Sequence, residues 1–120
     1  MNDSVFLCPS DELVEGRYRE FRIEQGGDPV WLIATRIGES PRAWLNVCPH
    51  QGRPLNFAPD RFLTDPEQRL VCAHHGAVFE PDGGVCVSGP CQRASLTAVP
   101  VSENEGRVSV ECTTPINTPG

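Results

Sequence analysis

With sixteen acidic and ten basic side chains in 120 residues, the chain carries a formal charge of −6, and all its basic residues are arginine. That balance argues against a surface built to neutralise the phosphates of nucleic acid. A domain of this length buries roughly 65% of the surface its unfolded chain exposes, enough for an ordinary core without disulfides. The first 45 residues hold eight acids and five arginines, against five and four in 46–95. Such a surface favours solubility and steers basic partners toward it. The opening MNDSVFLCPS has an aspartate at position 3, no basic residue before Arg17 and no long apolar run. It has the features of neither an export signal nor a membrane anchor, and the chain is read as cytoplasmic. Six cysteines in that setting point to metal ligands or buried small hydrophobes rather than a secreted disulfide framework.

Short strands dominate the pattern. REFRIE (19–24) alternates with Phe21 and Ile23 on one face; turn formers follow at 25–29, and VWLIATRI (30–37) reads as a more fully buried strand, so the two predict a hairpin. AWLNV (43–47) runs into Cys48, and RLVC (69–72) into a second Cys/His stretch. The segment 54–68, with three prolines, is a long connection with a short extended piece at 61–63. VFE (78–80) and VCV (85–87) predict a small hairpin, TAVPVS (97–102) and RVSVEC (107–112) another. No segment keeps helical periodicity over three turns, and the fold class is all-β, a small sandwich or barrel. Residues 113–120 lack the apolar content to pack and form a loose tail.

The chemistry lies in Cys48-x-His50, then 21 intervening residues, then Cys72-x-x-His75. Two strand-end turns, each delivering a thiolate and an imidazole, can converge on a metal. A tetrahedral zinc accepts two cysteines and two histidines, usually with a Cys pair on one element and a His pair on another. A Rieske [2Fe–2S] centre has two cysteines on one iron and two histidines on the other, which suits mixed pairs.

CPHQGRPL (48–55), CAHHGAVFEPDGG (72–84) and Gly89-Pro90 together resemble the Rieske-type iron–sulfur family. The resemblance implies an antiparallel β-sandwich with a small cluster-binding subdomain at about 46–92, in a single domain spanning 1–112. It implies one [2Fe–2S] cluster, with Cys48 and Cys72 on the inner iron, His50 and His75 on the outer iron, and Gly89-Pro90 in a covering loop. His75 is chosen over His74 because it matches the family spacing and precedes Gly76, as Gly52 closely follows His50; glycine lets backbone approach the cluster. High-potential relatives carry an extra disulfide-forming cysteine in each loop, where this chain has Arg53 and His74, and place a serine and a tyrosine at positions that align with Ala77 and Phe79.

Cys86 and Cys91 supply only the first spacing of a plant-type ferredoxin, so a second cluster is not expected. With Cys8 and Cys112 they read as buried thiols, a Cys86–Cys91 link or a redox-sensing thiol being the alternatives, and Trp31 and Trp44 read as core. Only three histidines are present, too few for a cluster and the two-histidine, one-carboxylate iron of an oxygenase. There is no glycine-rich nucleotide turn either. The resemblance therefore implies a small soluble electron carrier, not itself an enzyme, between a flavin-dependent reductase and a terminal oxygenase or similar acceptor. The alternatives are an accessory subunit of a larger reductase, such as a nitrite reductase, and a structural zinc module.

Loss of the serine and tyrosine hydroxyls removes hydrogen bonds that stabilise the reduced, more negative cluster. The reduction potential is therefore expected at the low end of the Rieske range, about −150 mV, and a redox titration returning a value above about +100 mV contradicts this reading.

Overall fold

The computed structural model describes residues 4–25, 27–48, 54–73, 76–80, 83–89 and 94–111. Among them are ten strands: β1 (Ser4–Pro9), β2 (Arg19–Gln25), β3 (Asp28–Ile37), β4 (Ser40–Leu45), β5 (Leu63–Thr64), β6 (Leu70–Val71), β7 (Val78–Phe79), β8 (Cys86–Ser88), β9 (Val101–Asn104) and β10 (Arg107–Glu111). One turn of 3-10 helix, Ser10–Glu12, follows β1. The strands form three antiparallel sheets, ordered β1-β10-β9, β2-β3-β4 and β5-β6-β7-β8. The expected all-β fold of antiparallel sheets is the architecture found.

The middle sheet explains why VWLIATRI reads as a nearly continuous apolar run. Leu32, Ala34, Ala43 and Leu45 face one core with Cys8, Val108 and Val110 of the first sheet. Ile33 and Trp44 face the other way, into a second core with Leu70, Phe79 and Cys86 of the third sheet. Alternation along a strand gives polar residues to one face only when that face meets water. Here both faces are covered, and residues 32–35 are all buried.

Two prolines sit within this sheet without breaking it. Gln25 pairs with Asp28 and Ile37 with Ser40, each across two intervening residues. The pairs flanking such a turn exchange both hydrogen bonds, and the next pairs, Glu24–Pro29 and Arg36–Pro41, do not. Neither proline is therefore asked for the N–H it lacks. The turn expected over 25–29 is correspondingly shorter, with Asp28 and Pro29 already in β3. A third proline divides an expected strand. Within 97–102, Leu45 N donates to Thr97 O and Val99 N to Ala43 O, while Val101 onward pairs with β10. The break falls at Pro100, so this segment leaves the edge of β4 and joins the other sheet.

Three further expectations are corrected. β1 is a strand that its sequence pattern does not announce; its single fully buried side chain, Cys8, follows a register shift between Phe6 and Cys8 that disturbs the alternation. The extended piece at 61–63 pairs as Leu63–Thr64 instead, because Arg61 N is taken by Ala58 O in a tight turn. Trp44 is core, at 3% exposure, but Trp31 is 47% exposed; it lies near the start of β3, beyond the last residue paired with β4. The tail expected at 113–120 lies outside the described residues.

Arg36 fastens the end of β3 to the first sheet. Its guanidinium donates to the carbonyls of Leu13 (2.8 Å), Ser10 (2.9 Å) and Glu39 (3.0 Å), and Nη2 lies 2.6 Å from Glu103 Oε2. The hydrogen bond from Arg36 holds the Glu103 carboxyl below the usual carboxylate range. A carboxyl depressed in the folded state contributes stability above its unfolded pKa and loses it as pH falls through the folded value. The urea midpoint of the wild-type protein is expected to exceed that of Glu103→Gln at pH 7, with the gap closing as pH falls below the ordinary carboxylate range. A gap that stays constant down to pH 3 contradicts this.

Candidate cluster-binding site

The second Cys/His stretch, the simpler of the two, begins directly after β6, whereas β4 ends at Leu45, two residues short of the expected strand end at 47. After β6 the Cys72 N–H donates to Ala77 O (2.8 Å) and Gly76 N–H returns to Cys72 O (2.9 Å), closing a turn over 72–77. Gly76 has φ +75° with no atom of the described residues within 4 Å of its absent Cβ, so glycine serves the left-handed backbone there. Cys72 and Ala77 are fully buried.

The first stretch is closed by a side chain. Asn46, 3% exposed, accepts the Leu55 N–H at Oδ1 (2.9 Å) and donates through Nδ2 to Asn56 Oδ1 (2.9 Å) and Glu20 Oε2 (3.2 Å). The residues on either side of 47–54 are thus held together, with Cys48 buried between them. The two stretches are then joined directly, Ala73 N donating to Leu55 O at 3.0 Å.

This assembly is anchored to β2 by a second polar network. Asp60, at φ +58°, accepts Arg19 Nε at 3.0 and 3.2 Å and the Glu20 N–H at 2.8 Å, while its own N–H donates to Glu20 Oε1 at 3.1 Å. On the other flank Tyr18 donates its hydroxyl to Gln68 O (3.2 Å). Burial, with Asp65 and Glu80 nearby, pushes that phenol up to about 12, so it remains a neutral donor. Asp65 in turn organises the β5–β6 connection, accepting the N–H groups of Glu67 and Arg69 (both 2.9 Å) and Arg69 Nε (2.7 Å).

Gly89 packs on the second turn, since a Cβ there would lie 2.8 Å from Ala77 Cα, and its φ is +100°. Gly89, the one described residue of the expected covering loop, is therefore seated against the Cys72–Ala77 turn. Phe79 lies below, 1% exposed, in the same core as both cysteines. Cys8 and Cys86 are buried as expected, and Cys86 Sγ contacts Ser88 O at 3.3 Å. His50, Gly52, Arg53, His74, His75, Pro90, Cys91 and Cys112 lie outside the described residues.

The donor set suits an iron–sulfur group. Cys48 and Cys72 enter one apolar core from two joined loops, where a thiolate needs a metal's positive charge to offset its lost hydration. Among the described residues no three His, Cys, Asp or Glu side chains gather as a separate metal site, and no helix is long and apolar enough to cross a membrane.

A β fold with two such cysteine loops, joined beneath a third segment, defines a cluster-binding class. The sequence profile of the Rieske [2Fe-2S] domain matches residues 3–113, and the chain belongs to that family, whose members bind one [2Fe–2S] cluster. Among solved structures it is similar to the ferredoxin of carbazole 1,9a-dioxygenase from Nocardioides aromaticivorans IC177, at 23% identity and TM-score 0.66, covering 89% of this chain and 95% of that one. It is also similar to the terminal oxygenase of carbazole 1,9a-dioxygenase from Novosphingobium sp. KA1, at 20% identity and TM-score 0.68, covering 89% of this chain but 29% of the oxygenase. At these identities the likeness is one of fold. A curated relative, the vanillate O-demethylase oxygenase subunit of Pseudomonas sp. (strain ATCC 19151), is 31% identical over 83 residues, 66% of this chain. The chain spans 23% of that relative's length.

Sequence reasoning named the cysteines but missed the residues that hold their loops, namely Glu20, Asn46, Asn56 and Asp60. The one available signal was Asn46 itself, a polar residue closing an apolar strand two positions before Cys48. Its truncation in Asn46→Ala leaves the buried Leu55 N–H without its acceptor, at a cost of about 1–3 kcal/mol. Denaturant unfolding of the cluster-loaded protein should show that loss, together with faster release of iron. A variant matching the wild type in both contradicts the role assigned to Asn46.

Proposed function

We propose that this chain is a one-electron carrier that accepts electrons from a flavin-dependent reductase and delivers them to a terminal oxygenase or a similar redox enzyme. The observation that carries this reading is the burial of Cys48 and Cys72 in one core, in a Rieske-family chain with only three histidines. Cys48 and Cys72 are the proposed ligands of the inner iron, and His50 and His75 those of the outer iron. When bound, the cluster takes up and releases a single electron. The chain's own residues hold and shield it. The Cys72–Ala77 turn and the Asn46-closed loop fix the two thiolates, and Phe79 and Ala77 exclude water from below. Gly76 supplies the left-handed turn, Gly89 packs closely on Ala77, and Gly52 and Pro90 are the further residues proposed to line the cluster.

The proposed unit is a single domain over 1–112, with residues 46–92 as its cluster-binding subdomain and 113–120 as a tail. With only three histidines in the sequence, two of them proposed as cluster ligands, the bond chemistry is assigned to the partner. Another solved structure similar to this chain, at 24% identity and TM-score 0.69, is a complex of reduced oxygenase and oxidized ferredoxin in carbazole 1,9a-dioxygenase. That pairing supports an oxygenase as acceptor here. The acidic charge disfavours nucleic acid, and the proposed setting is the cytoplasm, away from membranes.

The test is iron and acid-labile sulfide analysis of freshly purified protein, with electron paramagnetic resonance after dithionite reduction. About two irons and two sulfides per chain are expected, with the low-average-g signal of mixed nitrogen and sulfur ligation. His75→Ala should abolish that signal and His74→Ala should retain it. One zinc without sulfide, in protein made under iron-replete anaerobic conditions, overturns the carrier reading in favour of a structural metal domain.

A further inference from the structure

We propose that the groove between Trp31 and Phe57 is a docking surface for a protein redox partner that seats an apolar side chain, ringed by cations, against it. This rests on the carrier reading above. Trp31 and Phe57 are 47% and 55% exposed. They line one continuous depression. A hollow of about 300 Å³ between Trp31, Val47 and Pro54 shares Glu20, Trp31, Pro54 and Asn56 with a second hollow that runs on to Phe57. Val47 immediately precedes Cys48, and Asn46 N donates to Trp31 O at 2.9 Å, so the groove adjoins the base of the first cysteine loop.

Three features select the occupant. The polar groups on the groove's floor satisfy one another: Asn46 donates to Glu20 and Asn56, and Asn56 Nδ2 donates to Ala58 O. They leave little to recognise a functionalised small molecule, and apolar contact is what the groove offers. The backbone beneath both aromatic residues is held in place, which lowers the entropic cost of docking. Trp31 stands on β3, and the Phe57 N–H is fixed to Arg61 O at 3.0 Å. The charge on the β2 side is net acidic, while Arg61 stands on the Phe57 side. Glu20, Arg22 and Glu24 stand on β2 alongside Trp31, Asp28 lies at the hairpin end, and Arg22 is already paired with Glu24 at 3.4 Å. A cationic rim on the partner complements this, and an aromatic centre with a polar rim is the usual anatomy of a specific interface.

The test is stopped-flow mixing of the reduced, cluster-loaded protein with ferric cytochrome c, a basic redox protein whose apolar haem edge is ringed by lysines. Hexacyanoferrate(III) serves as a small acceptor that needs no groove. Trp31→Ala and Phe57→Ala are each expected to slow cytochrome c reduction about tenfold, with the hexacyanoferrate rate and the paramagnetic signal unchanged. Phe6→Ala, an exposed aromatic residue on the far sheet, should leave all three readouts unchanged. Should Trp31→Ala fail to load its cluster, Phe57→Ala, on a separate element, decides alone. Wild-type rates with cytochrome c in variants that retain the signal overturn the docking surface and leave the carrier reading standing. Absence of the signal from the wild-type protein overturns the carrier reading and this inference with it.

Discussion

The hydrogen bond from the Leu55 N–H to the buried Asn46 side chain, 2.9 Å long, is the contact on which the site's geometry turns. It converts a strand end and the start of a long connection into a closed loop around Cys48. Because the Asn46 amide also reaches Glu20 and Asn56, the same side chain fixes that loop to the middle sheet. Ala73 then binds Leu55, so the second cysteine turn takes its position from the first. A buried amide with its donors and acceptor engaged specifies one arrangement in a way that apolar packing alone does not, because each unmade bond carries a desolvation cost.

The middle sheet makes that arrangement possible. By burying both faces of β3 and β4 it gives the molecule two cores, one shared with the outer sheet and one reserved for the cysteine loops. Trp44 is the hinge of this division, on the cluster side of β4 with Gly84 packed so closely that a Cβ there would lie 2.8 Å from its indole nitrogen. The third sheet consists of strands two or three residues long, too short to stand alone. It is held by that shared core and by polar anchors at Asp60, Tyr18 and Arg69.

Much of this is legible in the sequence because it is written in local chemistry. Alternation locates most of the strands, the cysteines after strands mark the proposed site, and the one helical turn among the described residues is a 3-10 turn. The parts that escape depend on which distant segments meet. Nothing local marks Asp60 as the partner of Arg19, forty-one residues away, or Glu20 as the brace of Asn46. Strand β1 carries little alternation of its own and is defined by pairing with β10. Trp31 departs from expectation for a related reason: hydrophobicity indicates what can be buried, whereas exposure depends on where a neighbouring strand stops.

The Asp60 contact with β2 has a consequence for behaviour at high concentration. β2 is an edge strand, and a free edge offers unpaired backbone groups on which another chain can add a strand. Asp60 occupies the Glu20 N–H on that edge, and the side chains flanking it are charged at 19, 20, 22 and 24. At the opposite edge, residues 97–99 cover β4 through Leu45 and Val99. A protein that leaves aromatic surface open beside its first cysteine loop thus has the β4 margin of its main sheet covered and the β2 margin guarded by Asp60 and a row of charges.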